Sequence, residues 1–375
     1  MRVTSSLLAI VAGIGITIAP MTGKAAPVNE PETVFVMTNN ADGNEVIAYE
    51  QVGGQFIQAH RYDTGGRGSG GTNDPLGSQG SLNLSADHSL LFAANAGSGT
   101  ISVFRVLHGR LFLADRVPSG GSEPVAVAQH QDLVYVLNAA GSGSVVGFHL
   151  DVSGHLQQIK NSTTFLTESG AGGASITISP DGRFLAVTEK VTNNIDIFPI
   201  QPDSTLGSIV ANPSAGPGAF AARFAPDGKL FVSETGPAGA TNAAAISSYS
   251  VLPNGGLAVI SKSVPTLGAA NCWNAVTPDG QDIYVSNAAS STISGFAISK
   301  SGSLAPLAGT VVGSNPQGSG NLDITISSDG KFVFTVNSAA GTIGVFAVQQ
   351  GGTLSNIEEI EGLPKSVGYN GIAAL

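Results

Sequence analysis

Residues 323–360 read DITISSDGKFVFTVNSAAGTIGVFAVQQGGTLSNIEEI. The segment resolves into four short apolar runs at 323–327, 331–337, 342–348 and 354–360, rich in Val, Ile, Phe and Thr. Runs of that length and composition, bounded by Gly, Ser and Asp clusters, read as β-strands. Between the first two stands Ser328-Asp329-Gly330, a tight hairpin turn in which Gly tolerates a positive φ. Four antiparallel strands joined by short turns therefore make up one unit.

The unit recurs along the chain, and two markers count it. One is an apolar strand ending in a polar residue: Val36-Met37-Thr38-Asn39, Phe92-Ala93-Ala94-Asn95, Tyr135-Val136-Leu137-Asn138, Ala186-Val187-Thr188-Glu189, Phe231-Val232-Ser233-Glu234, Tyr284-Val285-Ser286-Asn287 and Phe334-Thr335-Val336-Asn337. The other is a turn opening a further strand, at Gly54, Gly109, Gly154, Ser204, Gly255, Gly302 and Gly352. Both occur seven times, and both span 298 residues in six steps, a mean period just under 50. Hairpin turns like the one at Asp329 return as Pro180-Asp181-Gly182, Pro226-Asp227-Gly228 and Pro278-Asp279-Gly280. Repeats of this length, apolar on both faces, pack face to face around an axis, which predicts an all-β, seven-bladed β-propeller with four antiparallel strands per blade. The first repeat begins with its second strand near Thr33, whereas the chain ends in Asn370-Gly371-Ile372-Ala373-Ala374-Leu375 with no second strand after it. The C-terminal strand should join the N-terminal blade and remove the open edge.

Composition agrees. Of 375 residues 50 are Gly, and only 11% are charged, which disfavours helical bundles and coiled coils. Apolar residues at 42% allow a large core. A net charge of −10 repels nucleic acid and anionic membranes, so a nucleic-acid partner is not expected. Arg2, an uncharged stretch over residues 7–19 and Gly23-Lys24-Ala25 read as a bacterial Sec-type signal peptide over 1–25. That leaves 26–375 as a single propeller domain, periplasmic or extracellular. The apolar stretch is shorter than the ~20 residues of a membrane span, and no longer one follows. Cys272 is the only cysteine, so no internal disulfide forms and stability must come from packing. A closed ring needs no partner strand, and a monomer is expected.

With these repeats, turns and Tyr/Phe-Val-x-Asn strands, the sequence resembles the secreted seven-bladed propellers of the lactonase family. These are relatives of cycloisomerase-like 6-phosphogluconolactonases and fungal 3-carboxy-cis,cis-muconate lactonising enzymes. A bacterial subgroup labelled 3-carboxymuconate cyclase-like is similar at Ser78-Gln79-Gly80-Ser81-Leu82, Val187-Thr188-Glu189-Lys190 and Ala270-Asn271-Cys272-Trp273. The resemblance covers essentially the whole chain after residue 25. It implies enzymes that open or close sugar or muconate lactones without a cofactor. In the catalytic branch an Arg-His pair starts the strand before the Asp-Gly turn. Here the corresponding pairs are Ala174-Ser175, Phe220-Ala221, Cys272-Trp273 and Leu322-Asp323, so the resemblance carries no His-dependent mechanism onto this chain.

Candidate site residues follow from repeat position. Asn39, Asn95, Asn138, Glu189, Glu234, Asn287 and Asn337 end equivalent second strands, and two adjacent repeats replace the amide by a carboxylate. Such side chains cap turns. Alternatively, Glu189 and Glu234 supply a general acid and base at a lactone carbonyl, since neighbouring carboxylates push one pKa upward. Lys190 could bind a substrate carboxylate or an oxyanion. Asp323 heads an apolar inner strand, which favours a channel-facing carboxylate, and is the third catalytic candidate. Trp273 offers an aromatic floor, with Asn370 near the same level of the closing strand. Cys272 has no partnering His and reads as packing. The Gly-rich connection over 63–80 should overhang the channel mouth, where Arg67 could meet a substrate carboxylate as part of a lid. It is no nucleotide-binding loop, and no metal motif is present. Two functions remain open: a lactone hydrolase or lactonising enzyme, and a non-catalytic propeller binding a glycan, peptide or envelope protein.

Overall fold

The computed structural model describes residues 32–375 except 239, and the signal-peptide reading of 1–25 lies outside the described residues. Among the described residues there is no helix, and strands form seven antiparallel sheets. This is the expected seven-bladed propeller. We number the blades along the chain and letter their strands A to D from the axis outward.

Blade 1 takes its A strand, Ile372–Ala374, from the C-terminus, followed by Thr33–Met37, Glu45–Val52 and Gln55–Asp63. Blade 2 begins at Leu82–Leu84, blade 3 at Pro124–His130, blade 4 at Gly173–Ile178, blade 5 at Ala219–Phe224, blade 6 at Asn271–Val276 and blade 7 at Asn321–Ile326. Only blade 3 departs from four simple strands. Its outer edge is divided into Leu156–Gln158 and Thr164–Phe165, both paired with Ser144–Leu150. Ser162 Oγ, bonded to the Gly147 N–H and carbonyl, fills the gap between them.

Both faces of each blade are apolar because each is covered by a neighbour. Phe92, Ala94, Ile101 and Val103 of blade 2 pack on Val127, Val134, Val136 and Phe148 of blade 3, while the alternate residues Leu91 and Ala93 join a different cluster. In the same way Val34 and Val36 face blade 7 through Phe334, Val336 and Ile343, while Phe35 and Met37 face the other side. The period-2 alternation of a strand thus sends successive apolar side chains into two different interfaces. At the A–B hairpins the Asp side chain closes the turn: Ser179, Thr277 and Ser327 donate to Asp181, Asp279 and Asp329 at 2.6, 2.7 and 2.9 Å. Blade 2 uses the same turn with His88, at φ 58°, where blades 4 to 7 place Gly.

Closure rests on three pairs, Val34 with Ala374, Phe35 with Ala373 and Val36 with Ile372, flanked by Met37 N–H to Gly371 O at 3.0 Å and Leu375 N–H to Thr33 O at 2.9 Å. Deleting residues 371–375 bares an apolar B strand. The melting temperature should fall by more than about 5 °C, with dye-accessible apolar surface appearing at lower temperature; an unchanged melt would show that the ring does not depend on this strand.

Candidate functional site in the propeller channel

The connection from blade 1 to blade 2 decides what the channel can do. Its first part is clamped to the rim: a Cβ on Gly68 would lie 2.1 Å from the Asn39 carbonyl carbon, and one on Gly66 2.4 Å from Asn95 Cγ. From Asp74 onward the chain turns into the channel. Ser78 Oγ donates to Val125 O of blade 3, the Gln79 N–H to Ala174 O of blade 4, and Gln79 Nε2 to Asn274 O of blade 6 and Asp323 Oδ1 of blade 7. Gly80 O accepts the Val127 N–H, and Ser81 Oγ donates to Asn370 Oδ1 beside the closing strand. Residues 78–81 are buried. The segment is therefore an axial plug rather than a lid over the mouth, because five blades offer it backbone and amide partners that solvent would otherwise have to supply. Arg67 stays exposed at the rim, its carbonyl holding the Gly97 and Ser98 N–H groups of blade 2.

The second-strand ends face the preceding blade, not the axis. Asn95 Oδ1 accepts from Asn44 and Thr64 of blade 1, and its Nδ2 donates to Ser102. Asn138 bonds to Ser119 O, Asn287 to Thr292 and Ser294, and Asn337 to Asn315, Thr342 and Glu359. Asn39 grips Ser69, Gly70 and Gly368. Whereas Asn287 bonds within its own blade, Asn39, Asn95, Asn138 and Asn337 thus pin the chain that connects neighbouring blades. Glu234 does the same through Gly216 N–H at 2.9 Å, Ser247 Oγ at 2.6 Å and Ser263 Oγ at 2.8 Å. Glu189 accepts from the Thr167 N–H and hydroxyl and from Thr192. Both carboxylates are fully buried.

Asp196 completes the blade 4 version of this clamp. It occupies the C-strand position held by Ser102, Ser247 and Ser294 in other blades, and that repeat equivalence is the signal by which the sequence exposes it. No donor from another described residue reaches either of its oxygens. Burial first, then the hydrogen bond with and charge of Glu189, push the Asp196 carboxyl far above its ordinary range. Burial also pushes Glu189 upward, but hydrogen bonds from Asp196, Thr167 and Thr192 outweigh it and hold Glu189 below its usual value. One proton is shared, with Asp196 as the acid donating to ionised Glu189.

The upper mouth, where the plug enters, gathers Asp74, Lys190, Asn370 and Trp273. Asp74 Oδ1 accepts the Gly77 N–H at 3.0 Å and Asn370 Nδ2 at 2.8 Å. Lys190 Nζ donates to Gly77 O at 2.7 Å and stands 5.6 Å from the centroid of the Phe220 ring. Burial raises the Asp74 carboxyl to about 6, opposed by the Gly77 N–H, Lys190 and Asn370. Burial likewise lowers the Lys190 ammonium, with Asp74 opposing. Trp273 is buried under the plug, its indole N–H donating to Ser78 O at 2.9 Å and its ring set edge-on to Phe220. Burial pushes the neighbouring Cys272 thiol far up, so it presents no thiolate near neutrality. Asp323 lies on the other side of Gln79, at a bulge with φ 60° that turns its carboxylate onto the Gln79 amide and the Ile324 and Ile372 N–H groups. Among the described residues no cluster of His, Cys, Asp and Glu has the makings of a metal site.

A family model described as lactonase, seven-bladed β-propeller, matches residues 30–165 and 125–233, together more than half of the chain. The chain belongs to this lactonase family. The two matched stretches overlap within blade 3, as expected when a repeat aligns in two registers. Solved structures share the lactonase propeller fold. A Bacteroides uniformis protein described as a candidate 6-phosphogluconolactonase is 19% identical with a TM-score of 0.68, covering 92% of this chain and 100% of that one. The Pseudomonas aeruginosa periplasmic gluconolactonase is 18% identical with a TM-score of 0.67, covering 92% and 99%. A protein of unknown function from Desulfotomaculum acetoxidans is 14% identical with a TM-score of 0.67, covering 92% and 98%. No curated protein matches the chain.

The Asp196–Glu189 pair gives this propeller a signed pH dependence. Between the ordinary carboxylate range and the raised value of Asp196 the folded state holds a proton that the unfolded chain has released, so stability contributed here falls as pH rises. Asp196→Asn keeps a donor to Glu189 without a titrating proton. Melting curves from pH 5 to 8 should show a shallower alkaline decline in the variant than in the wild type, by roughly 1 kcal/mol or more over the interval; parallel curves would show that Asp196 is already ionised in the fold.

Proposed function

We propose that this lactonase-family propeller is a secreted hydrolase of small carboxylated or sugar lactones, working at the upper mouth of the channel. The observation that carries the proposal is that Asp74 and Lys190 meet there at Gly77, Asp74 accepting its N–H and Lys190 donating to its carbonyl, with Asp74 raised to about 6. Ester hydrolysis needs a base for water and a positive group for the carbonyl oxygen as it gains charge. Asp74 takes the proton as water adds to the lactone carbonyl. Lys190 stabilises the oxyanion; collapse then breaks the ring C–O bond, and the proton passes from Asp74 to the departing alkoxide to leave a hydroxy acid. Asn370 orients Asp74, and the Trp273 indole holds the Ser78 carbonyl so that the plug keeps Asp74 at the mouth. A base near neutrality is better poised than Glu189, which is held low and hydrogen-bonded on both oxygens. Arg2, the apolar stretch at 7–19 and Gly23-Lys24-Ala25 support export, and the periplasmic gluconolactonase of similar fold is consistent with it.

The test is hydrolysis of glucono-δ-lactone, its 6-phosphate and muconolactone across pH. The base must be ionised, so kcat should rise with pH through about 6. Asp74→Asn should abolish that limb and lower kcat by roughly 100-fold or more, and Lys190→Met should cost roughly 10- to 100-fold. Glu189→Gln should leave the limb in place. Turnover that is absent for the wild type, or equal in wild type and Asp74→Asn, would favour a non-catalytic propeller binding a glycan, peptide or envelope protein.

A further inference from the structure

Below Gln79 the channel widens into a cavity of about 470 Å3 lined by strand A residues of blades 2, 5, 6 and 7 and by the closing strand. Its walls are mixed, with Leu84, Phe224, Val276, Ile326 and Ile372 forming the apolar part and Asn83, Ser85, His88, Thr325 and Ser327 the polar part. Arg223 reaches this cavity from blade 5. Among the described residues, its guanidinium makes no hydrogen bond and no ion pair. Asp323 acts on it only as a nearby charge, for the Asp323 oxygens are taken by Gln79 Nε2 and the Ile324 and Ile372 N–H groups. Burial presses the Arg223 pKa down, opposed by that charge. The guanidinium therefore faces the open cavity with a planar fork of N–H donors that no acceptor of the described residues takes, the geometry a planar two-oxygen acceptor matches.

We propose that the lower end of the channel is a second binding site, for a small organic carboxylate held by Arg223 with its apolar body against Phe224, Val276 and Ile326. A carboxylate presents two oxygens in the plane of the guanidinium and satisfies it bidentately. One guanidinium offers one positive charge, which Asp323 nearby already offsets in part, so a monoanion fits better than a phosphate dianion. The volume lies within the range of small-ligand sites. Gln79 separates this cavity from Asp74 and Lys190, so the site does not rest on the lactone reading.

The experiment is calorimetric titration of the full chain with butyrate, benzoate, benzamide and inorganic phosphate. Butyrate or benzoate should bind at one site per chain, and benzamide should not. Arg223→Gln should weaken carboxylate binding roughly tenfold or more, while Lys190→Met should leave it unchanged and so separate this site from the upper mouth. Should Arg223→Gln not fold, Ala86→Glu at the exposed cavity rim tests the same point by adding a repelling charge, and binding should weaken severalfold. Absence of carboxylate binding up to about 10 mM, equal binding of benzamide, affinity unchanged in a folded Arg223→Gln or Ala86→Glu variant, or phosphate binding tighter than either carboxylate would overturn the assignment.

Discussion

A ring of seven sheets is free of edges only if its first and last strands meet, and here that meeting is three residue pairs long. So short a strand cannot hold by its ladder alone, and its surroundings reinforce it. The Gly371 carbonyl accepts the Met37 N–H, Asp323 accepts the Ile372 N–H from blade 7, and Asn370 is bonded to Ser81 and Asp74 of the plug. Ring closure and channel filling are consequently one construction. A change at Asp323 would reach the closing strand before it reached any ligand.

The plug answers a second demand. Inner strands arranged around an axis leave a hole lined by backbone and small side chains, and inner-strand bulges in blades 3 to 7 disturb their ladders at this level. Residues 78–81 meet the groups so exposed, with Gln79 acting as donor and acceptor at the centre. The channel is thereby divided into two halves, each holding one acid and one base: Asp74 with Lys190 above, Asp323 with Arg223 below. In a chain with only 11% charged residues, two opposite-charge pairs on one axis are a substantial share of what the interior carries.

The fold was legible because its determinants are local and repeated. Turn residues such as Asp181-Gly182 and Asp329-Gly330, and the strand ends from Asn39 to Asn337, recur with the blade and need no knowledge of distant contacts. The site was less so. Glu189 and Glu234 stand among five Asn residues at one level of the ring, and the sequence places them there correctly. Which way they point depends on the pleat, and at this position the side chain faces the preceding blade. Asp74 was visible as one of few charges in the Gly-rich connection, but the descent of that connection into the channel depends on partners in blades 3, 4, 6 and 7 that are far away in sequence.

The acid pair of blade 4 explains why two carboxylates can replace amides without creating a catalytic centre. In blades 2 and 6 an Asn amide donates to a C-strand Ser hydroxyl. Glu189 and Asp196 reproduce that link with one proton between them: the protonated acid is the donor, the carboxylate the acceptor. The exchange conserves hydrogen bonds at the expense of a stability that depends on pH. It also withdraws both groups from chemistry, since Glu189 is stabilised in its ionised form and Asp196 in its neutral one, and neither can trade a proton with a ligand without breaking the clamp. Asp74 differs from both: it is raised to about 6, neither held low like Glu189 nor driven far up like Asp196, its Oδ2 accepts no hydrogen bond from the described residues, and it stands at the mouth. Asp323 on blade 7 is also raised to about 6, but both its oxygens are held by Gln79, Ile324 and Ile372, so among the carboxylates near the axis the one best suited to gain and lose a proton near neutrality sits on the plug.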